Sequence, residues 1–233
     1  IRSQADLTAL LEKRANGIQV VGALLGTEGS HALDGELDNI NRLYQAGFRM
    51  MGLQHFFDNE LGGSLHGVSK LGLTDFGRTA VERMQSLGII IDVSHSSEAI
   101  VLDTLDITGG DALVVSHTGF DGHCESPRNI SDDIMEQVTK AGGLIGIGFW
   151  TDVTCGDGIT AIVSAIRYGI DRFGVQHIAL GSDWDGSVTT PIDASQLPYL
   201  TQALVNAGFN EVEIRAVMGG NMANFFAAHL PPY

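Results

Sequence analysis

The sequence predicts an α/β fold in which helices alternate with the strands of a parallel sheet. Short β-branched apolar runs recur along the 233 residues, amphipathic stretches separate them, and small or ionisable residues follow the runs. This alternation is typical of β/α units. No linker, repeat or low-complexity tract interrupts the pattern, so we expect a single domain over residues 1–233.

Six apolar runs are the predicted strands. Each has the length of a strand and is apolar enough to be buried on both faces of a sheet. The predicted strands are Ile18 to Leu25, Phe48 to Leu53, Ile89 to Val93, Ala112 to Val115, Leu144 to Phe149 and Ile178 to Leu180.

Amphipathic stretches between and after these runs are the predicted helices. Thr74 and Ser131 are candidate N-caps, and glycines such as Gly47 and Gly88 mark helix ends. The predicted helices are Glu36 to Ala46, Asp75 to Leu87, Ser97 to Leu105, Ser131 to Ala141, Ile159 to Phe173, Pro198 to Ala207, Glu211 to Met218 and Asn221 to His229.

The composition narrows the classes of partner. Lys and Arg total 13 against 28 Asp and Glu, which leaves a formal net charge of −15. A charge of this sign repels phosphate backbones, so we expect no nucleic acid partner. No apolar run approaches the roughly 20 residues that span a bilayer, so we expect no direct membrane span. The first residue is Ile1 rather than Met, and we expect that a segment precedes it.

Chemically active side chains follow five of the six predicted strands. Because the carboxyl ends of parallel strands lie along one rim, we expect these side chains to converge there. They are Glu28, His55, His95, His117 and Asp183.

Three of these side chains form a candidate metal site. Glu28, His95 and His117 supply one carboxylate and two imidazoles, a ligand set that suits Zn²⁺. A catalytic zinc held in this way keeps one position for water, whose pKa falls to about 7. Each histidine taken alone is also compatible with a hydrogen-bonded structural role at a strand end.

Other groups near the predicted rim suit substrate binding and proton transfer. His55 is either a further ligand or a donor to a developing oxyanion. Asp183 is placed to orient or deprotonate water and to protonate a leaving amine. Asp185, two residues later, either points to the same side, if the strand continues, or is a turn residue, which its position favours. Arg128 precedes a predicted helix, where it is either a clamp for a substrate carboxylate or an ordinary surface arginine.

Several short motifs, in this order along the chain, resemble the membrane (renal) dipeptidase family of zinc metallopeptidases. They are Thr27-Glu28-Gly29-Ser30-His31, Gly72-Leu73-Thr74-Asp75-Phe76-Gly77, Ile91-Asp92-Val93-Ser94-His95, Val115-Ser116-His117, Pro127-Arg128-Asn129-Ile130-Ser131-Asp132-Asp133, Gly181-Ser182-Asp183-Trp184-Asp185-Gly186 and Gly220-Asn221. Each motif is short, but their combination is specific and covers nearly the whole chain.

The resemblance implies a TIM-like (β/α) barrel with two zinc ions that hydrolyses dipeptides and tolerates a D-residue at the C-terminal position. Glu28 would bridge the metals, and His95 and His117 would bind one of them. His55 would steady the tetrahedral intermediate and Asp183 would transfer a proton. Arg128 would hold the terminal carboxylate, so His55, Arg128 and Asp183 would contact the substrate. Small dipeptides are the expected partners, and a homodimer stays open.

The two cysteines, Cys124 and Cys155, are too few for a disulfide scaffold and lack the spacing of zinc motifs. Composition leaves one disulfide or two buried thiols open and slightly favours the thiols. The resemblance implies instead that the two cysteines form the loop-to-loop disulfide of exported members. That pairing favours an exported or periplasmic location over a cytoplasmic one.

One departure from the family pattern concerns the second metal. Family members carry a His-x-Asp pair on the first barrel strand, and no such pair precedes Glu28. We therefore expect that the first two strands are absent, that one zinc site is retained, and that the second lacks two ligands. Two alternatives remain: another metal-dependent barrel amidohydrolase acting on lactones or phosphoesters, and a catalytically incomplete binding module.

Overall fold

A computed structural model describes residues 1–233. Backbone contacts divide the chain into two compact units, one formed by Ile1–Leu113 with Ala223–Tyr233 and the other by Val114–Met222. The prediction of a single domain stays a prediction. The strands are β1 (Leu25–Thr27), β2 (Phe48–Gly52), β3 (Ile90–Asp92), β4 (Leu113–Thr118), β5 (Leu144–Ile147) and β6 (Ile178–Leu180).

The helices follow or precede the strands in regular alternation. They are α1 (Gln4–Ala15), α2 (Asp38–Ala46), α3 (Asp75–Leu87), α4 (Glu98–Thr108), α5 (Asp132–Lys140), α6 (Thr151–Thr154), α7 (Ile159–Phe173), α8 (Leu197–Asn206), α9 (Glu211–Arg215) and α10 (Asn221–His229). No helix combines the length and the apolarity that crossing a bilayer requires.

Within each unit the strands follow the order of the chain, β1-β2-β3 in the first unit and β4-β5-β6 in the second. In the first unit β2 pairs in parallel with β1 and with β3, and in the second unit β5 pairs in parallel with β4 and with β6. Strands β3 and β5 are buried along their whole length, as the continuous apolar runs predict. The predicted α/β fold with a parallel sheet is confirmed.

Helix boundaries agree with the predicted caps at a hydrogen-bonded N-cap and at two glycines in the left-handed conformation. The hydroxyl of Thr74 accepts a hydrogen bond from the backbone N–H of Gly77 at the start of α3. Helices α2 and α3 end at Gly47 and Gly88, both in the left-handed conformation. Ser131 lies at the N-cap position of α5, although its side chain makes no capping hydrogen bond.

The first predicted strand is wrong in position. Residues 18–24 have no regular structure, and the strand is β1 at Leu25–Thr27. A β-branched run forms a strand only where neighbouring groups bury its side chains, and here Val21 is 90% exposed. The carboxyl end of the strand still precedes Glu28, so the position of this site residue relative to its strand is unchanged.

Helices α1 and α6 were not predicted, and one helix was predicted too long. Ser3 is the N-cap residue of α1, and its hydroxyl accepts a hydrogen bond from the N–H of Asp6, so a cap signal was available in the sequence. The helix predicted over 211–218 ends at Arg215, and a π-helical segment follows. Gly219 interrupts that segment with a φ of 138°, a conformation that glycine adopts at little cost.

Cys124 and Cys155 form a disulfide in the second unit, as the resemblance implies. The bond joins the loop that carries Arg128 to the C-cap residue of α6. Asn129 reinforces this connection, because its side-chain amide donates to the backbone carbonyls of Cys124 and Val153. Covalent and hydrogen-bonded contacts therefore fix the loop next to Arg128.

Replacing both Cys124 and Cys155 with Ala is expected to lower the free energy of unfolding by about 3 kcal/mol, because the bond closes a loop over a sequence separation of 31 residues. Urea unfolding of the oxidised protein and the double variant measures this difference. Adding reductant should lower the free energy of unfolding of the wild type to that of the variant and leave the value for the variant unchanged. Equal stability under oxidising conditions would contradict the expectation.

Candidate metal and substrate site

In the first unit, two histidines face one carboxylate. The Nε2 atom of His95 lies 3.0 Å from Oε1 of Glu28, and Nε2 of His55 lies 3.6 Å from the same oxygen. His95 is buried, with 4% of its side chain exposed, whereas Glu28 and His55 keep 35% and 34% exposed. This group therefore has one enclosed imidazole and two groups that solvent or a substrate reaches.

Near Glu28 the backbones of β1 and β2 approach each other closely. A Cβ atom on Gly52, the last residue of β2, would lie 3.0 Å from the backbone nitrogen of Gly29 and 3.0 Å from the carbonyl oxygen of Thr27. Glycine therefore lets the end of β2 pack against the residues that flank Glu28. The hydroxyl of Ser30 donates to the carbonyl of Gly52 and holds the same contact from the other side.

The segment between β2 and α3 is a long loop, and the side chains of Asp58 and Asn59 hold it in place. The Asp58 carboxylate accepts backbone hydrogen bonds from Ser64, Val68 and Ser69. Hydrogen bonds from Ser69 and then Ser64 hold the pKa of Asp58 below its ordinary value. Asn59 donates to the carbonyl of Leu53 and so closes the loop back onto the end of β2.

This loop brings two residues to the site that the sequence analysis did not assign to it. The ring of His66 lies 5.4 Å from that of His95, and the ring of Phe56 lies 4.5 Å from His55 and 5.4 Å from His95. His66 follows no predicted strand, so the strand-end rule did not select it. Its proximity depends on the loop conformation, for which strand spacing carries no signal.

In the second unit, His117, Arg128 and Asp183 lie together. The Nε2 atom of His117 lies 3.9 Å from Oδ1 of Asp183, and Ser116 Oγ is 2.8 Å from Nδ1 of His117. The Nη2 group of Arg128 donates to the carbonyl oxygen of His117 at 3.1 Å. The guanidinium of Arg128 also lies 5.3 Å from the centre of the Trp150 ring.

The side chains of this second group are enclosed. Arg128 and His117 are each 7% exposed and Trp150 is 6% exposed. Arg128 is therefore not the ordinary surface arginine that was one of its two interpretations. A buried guanidinium held against an indole is suited to binding a planar anion such as a carboxylate.

The two aspartates after β6 differ in environment. Asp183 adopts a left-handed conformation with φ of 60°, and 13% of its side chain is exposed. Asp185 is exposed, its N–H bonds the carbonyl of Asp183, and its carboxylate accepts from the N–H of Ser187. Asp185 therefore makes the local turn contacts that were one of its two interpretations.

Glu28 and His95 in the first unit and His117 in the second unit are the predicted ligands for a metal ion. The chemistry of the donors fits zinc, because a carboxylate and two imidazoles are its usual ligands in hydrolases. A histidine that binds a metal through Nε2 is usually oriented by a hydrogen bond at its other ring nitrogen, Nδ1. The contact between His117 Nδ1 and Ser116 is of this kind.

A parallel α/β sheet with ionisable side chains after its strands is the arrangement in which (β/α)-barrel enzymes place their active sites. The chain belongs to the membrane dipeptidase family, peptidase family M19, whose family model matches residues 3–228. The predicted family is therefore confirmed.

The chain is similar to dipeptidase 3 of Mus musculus, with 31% identity over 235 residues that cover 91% of this chain and 45% of the relative. It thus spans about half the length of the curated relatives it matches.

Among solved structures, the chain is similar to a metallopeptidase named dipeptidase AC, of family M19, with 26% identity and a TM-score of 0.85 over 99% of this chain and 71% of that one. It is also similar to a Rhodobacter sphaeroides metallopeptidase liganded with a phosphinate mimic of the dipeptide L-Ala-D-Ala. Identity there is 26%, the TM-score is 0.84, and coverage is 98% of this chain and 68% of that one. Family M19 neighbours are TIM-like barrels, in agreement with the predicted fold class.

Proposed function

We propose that this protein is a zinc-dependent dipeptidase that hydrolyses dipeptides and accepts a D-residue at the C-terminal position. The observation that carries the proposal is the buried Arg128 beside His117, since it pairs a binding group for a free carboxylate with a candidate metal ligand. A dipeptide has its C-terminal carboxylate one residue from the scissile bond. An enzyme for such substrates needs these two groups close to each other.

Glu28, His95 and His117 are the proposed zinc ligands. Zinc bound there would supply an activated water at neutral pH and polarise the substrate carbonyl. In this proposal the Glu28 carboxylate, already 3.0 Å from His95, provides the oxygen ligand. A second zinc, as the family resemblance implies, would need further ligands, and residues 1–27 contain no histidine.

Arg128 is the proposed clamp for the substrate carboxylate. Its contacts with the His117 carbonyl and the Trp150 ring restrict the guanidinium to one orientation before substrate binds. Such preorganisation lowers the entropic cost of binding. The L-Ala-D-Ala mimic bound to the Rhodobacter sphaeroides relative supports a D-residue at the C-terminal position of the substrate.

His55 and Asp183 are the proposed catalytic groups. His55 is the half-buried imidazole next to Glu28, where it donates to the oxygen that gains charge during attack on the carbonyl. Asp183, next to His117, takes a proton from the attacking water and delivers it to the departing amine. The two groups therefore act on opposite ends of the scissile bond.

Replacing Arg128 with Lys is expected to raise KM for L-Ala-D-Ala by about 10- to 100-fold, because lysine provides a point charge in place of the two-pronged guanidinium. Steady-state kinetics with L-Ala-D-Ala and with its C-terminal amide test this. The ratio of kcat/KM for acid over amide should fall in the variant. Arg172→Lys, at a half-exposed ion pair on α7, is the matched control and should leave the ratio unchanged. An unchanged ratio in Arg128→Lys would mean that another group binds the C-terminal carboxylate of the substrate.

The proposed reaction is tested by assaying L-Ala-D-Ala, a lactone and a phosphotriester side by side with added zinc. We expect hydrolysis of the dipeptide alone, because a buried arginine suits a substrate with a free carboxylate. Hydrolysis of only the lactone or the phosphotriester would eliminate the dipeptidase proposal. Absence of all three activities in zinc-loaded protein would favour the binding-module alternative.

An oxidising compartment is the proposed location, because the disulfide between Cys124 and Cys155 is compatible with an exported or periplasmic protein. Small dipeptides are the proposed partners. Homodimerisation, which the family resemblance left open, stays a prediction that a measurement of mass in solution would test.

A further inference from the structure

We propose that Ser64 is a positioning residue that fixes the backbone of His55 and His95 so that both imidazoles face Glu28. This inference rests on the proposed function, because it assigns Ser64 a role in presenting the proposed zinc ligand His95. It concerns contacts within the first unit only.

Ser64 connects the segments that carry the two histidines. Its hydroxyl contacts the backbone carbonyl of His55 and lies 3.2 Å from that of His95. The same oxygen accepts the backbone N–H of His66 at 3.1 Å. Ser64 is completely buried, so water does not compete for these bonds.

The backbone of His95 explains why such a contact matters. His95 adopts a left-handed conformation with φ of 61°, which a residue with a Cβ atom adopts only when its surroundings impose it. The carbonyl oxygen of His95 accepts from the N–H of Leu65 at 2.6 Å and shares, at 3.2 Å, the single proton of the Ser64 hydroxyl with the carbonyl of His55. Ser64 also forms an antiparallel bridge with Ser96. These bonds hold the peptide after His95 in the orientation that its unusual conformation requires.

A second group of contacts fixes Ser64 itself. The N–H of Ser64 donates to Oδ1 of Asp58 at 2.8 Å, and Asp58 also accepts from Val68 and Ser69. The hydroxyl of Ser64 therefore has a defined position before any metal binds. Through the carbonyls of His55 and His95, that position is transmitted to the two imidazoles on either side of Glu28.

The chain contains a matched control. Ser97 is also buried, at 2% exposed, and its hydroxyl donates to the carbonyl of Leu71 in the same loop. It contacts neither the His55 nor the His95 carbonyl among its described bonds. A variant at Ser97, the N-cap residue of α4, therefore removes a buried hydroxyl that bonds the same loop without removing a contact to the His55 or His95 carbonyl.

The test compares Ser64→Ala and Ser97→Ala for zinc affinity, by competition with a chelator, and for the absorption spectrum of the cobalt-substituted protein. We expect Ser64→Ala to weaken zinc binding by about 10-fold or more, which is the loss of affinity typical when a residue that supports a metal ligand is replaced. The cobalt spectrum should also change. Ser97→Ala should change neither, although it lowers the unfolding midpoint. Wild-type zinc affinity and cobalt spectrum in folded Ser64→Ala would overturn the proposal.

If Ser64→Ala does not fold, Ser64→Thr and Ser64→Val replace it, because the two side chains have the same shape and only threonine keeps the hydroxyl. The threonine variant should then bind zinc about 10-fold more tightly than the valine variant. Equal affinity would reject the role of the hydroxyl. Neither readout depends on turnover, so a wild type that binds zinc without cleaving dipeptides would contradict the proposed function alone.

Discussion

Replacing Asp183 with Asn lowers kcat for dipeptide hydrolysis by about 10²- to 10⁴-fold and leaves the zinc content unchanged. Asparagine keeps the shape of the side chain but does not accept and release a proton at neutral pH. Asp183 is well placed for this transfer, since it lies next to His117 with little of its side chain exposed. Steady-state kinetics and metal analysis of the same preparation measure both quantities.

Asp185→Asn is the matched control for that variant. Asp185 lies two residues later, is exposed, and makes a local turn bond with Ser187, so its replacement should change kcat by less than about threefold. Loss of zinc in Asp183→Asn would mean that Asp183 is a ligand rather than a proton carrier. Equal effects of the two substitutions would remove Asp183 from the reaction.

Replacing Glu28 with Gln is expected to weaken zinc binding by at least about 100-fold, beyond the effect typical of outer-shell partners. An amide carries no negative charge and is a poor substitute for a carboxylate ligand of zinc. Activity should fall with zinc occupancy. Chelator competition measures the affinity, and turnover at saturating zinc measures whether activity returns when the metal is forced to bind.

Glu36→Gln is the control for this second substitution, because Glu36 is exposed and has no place in the proposed site. It should bind zinc like the wild type. If Glu28→Gln also keeps wild-type affinity, the carboxylate ligand must come from elsewhere in the chain. The group of His55 and His95 around Glu28 would then need another explanation.

The fold was predictable from the sequence wherever burial follows directly from hydrophobic pattern. The buried strands β3 and β5 and the helix α7 lie where apolar periodicity places them. The run from Ile18 to Leu25 shows the limit, since its apolar residues are largely exposed and only Leu25 enters a strand. A hydrophobic pattern indicates which residues favour burial. Whether other parts of the chain are near enough to bury them depends on the tertiary structure.

The site was predictable to the extent that it lies at strand ends. Glu28 follows β1 directly and His117 is the penultimate residue of β4, so the rule for parallel strands selected both as candidates. The surroundings of these residues were not predictable. Ser64, Phe56 and His66 reach His95 through a loop whose course depends on the hydrogen bonds of Asp58 and Asn59. No periodicity encodes such a course.

The most direct test of the account is the position of zinc in a crystal of the zinc-loaded protein, determined from anomalous diffraction at the zinc edge. The account predicts one zinc with Nε2 of His95 and of His117 at about 2.0–2.1 Å and a Glu28 oxygen at about 2.0–2.2 Å. Zinc bound to other side chains, or to only one of these three residues, would contradict it.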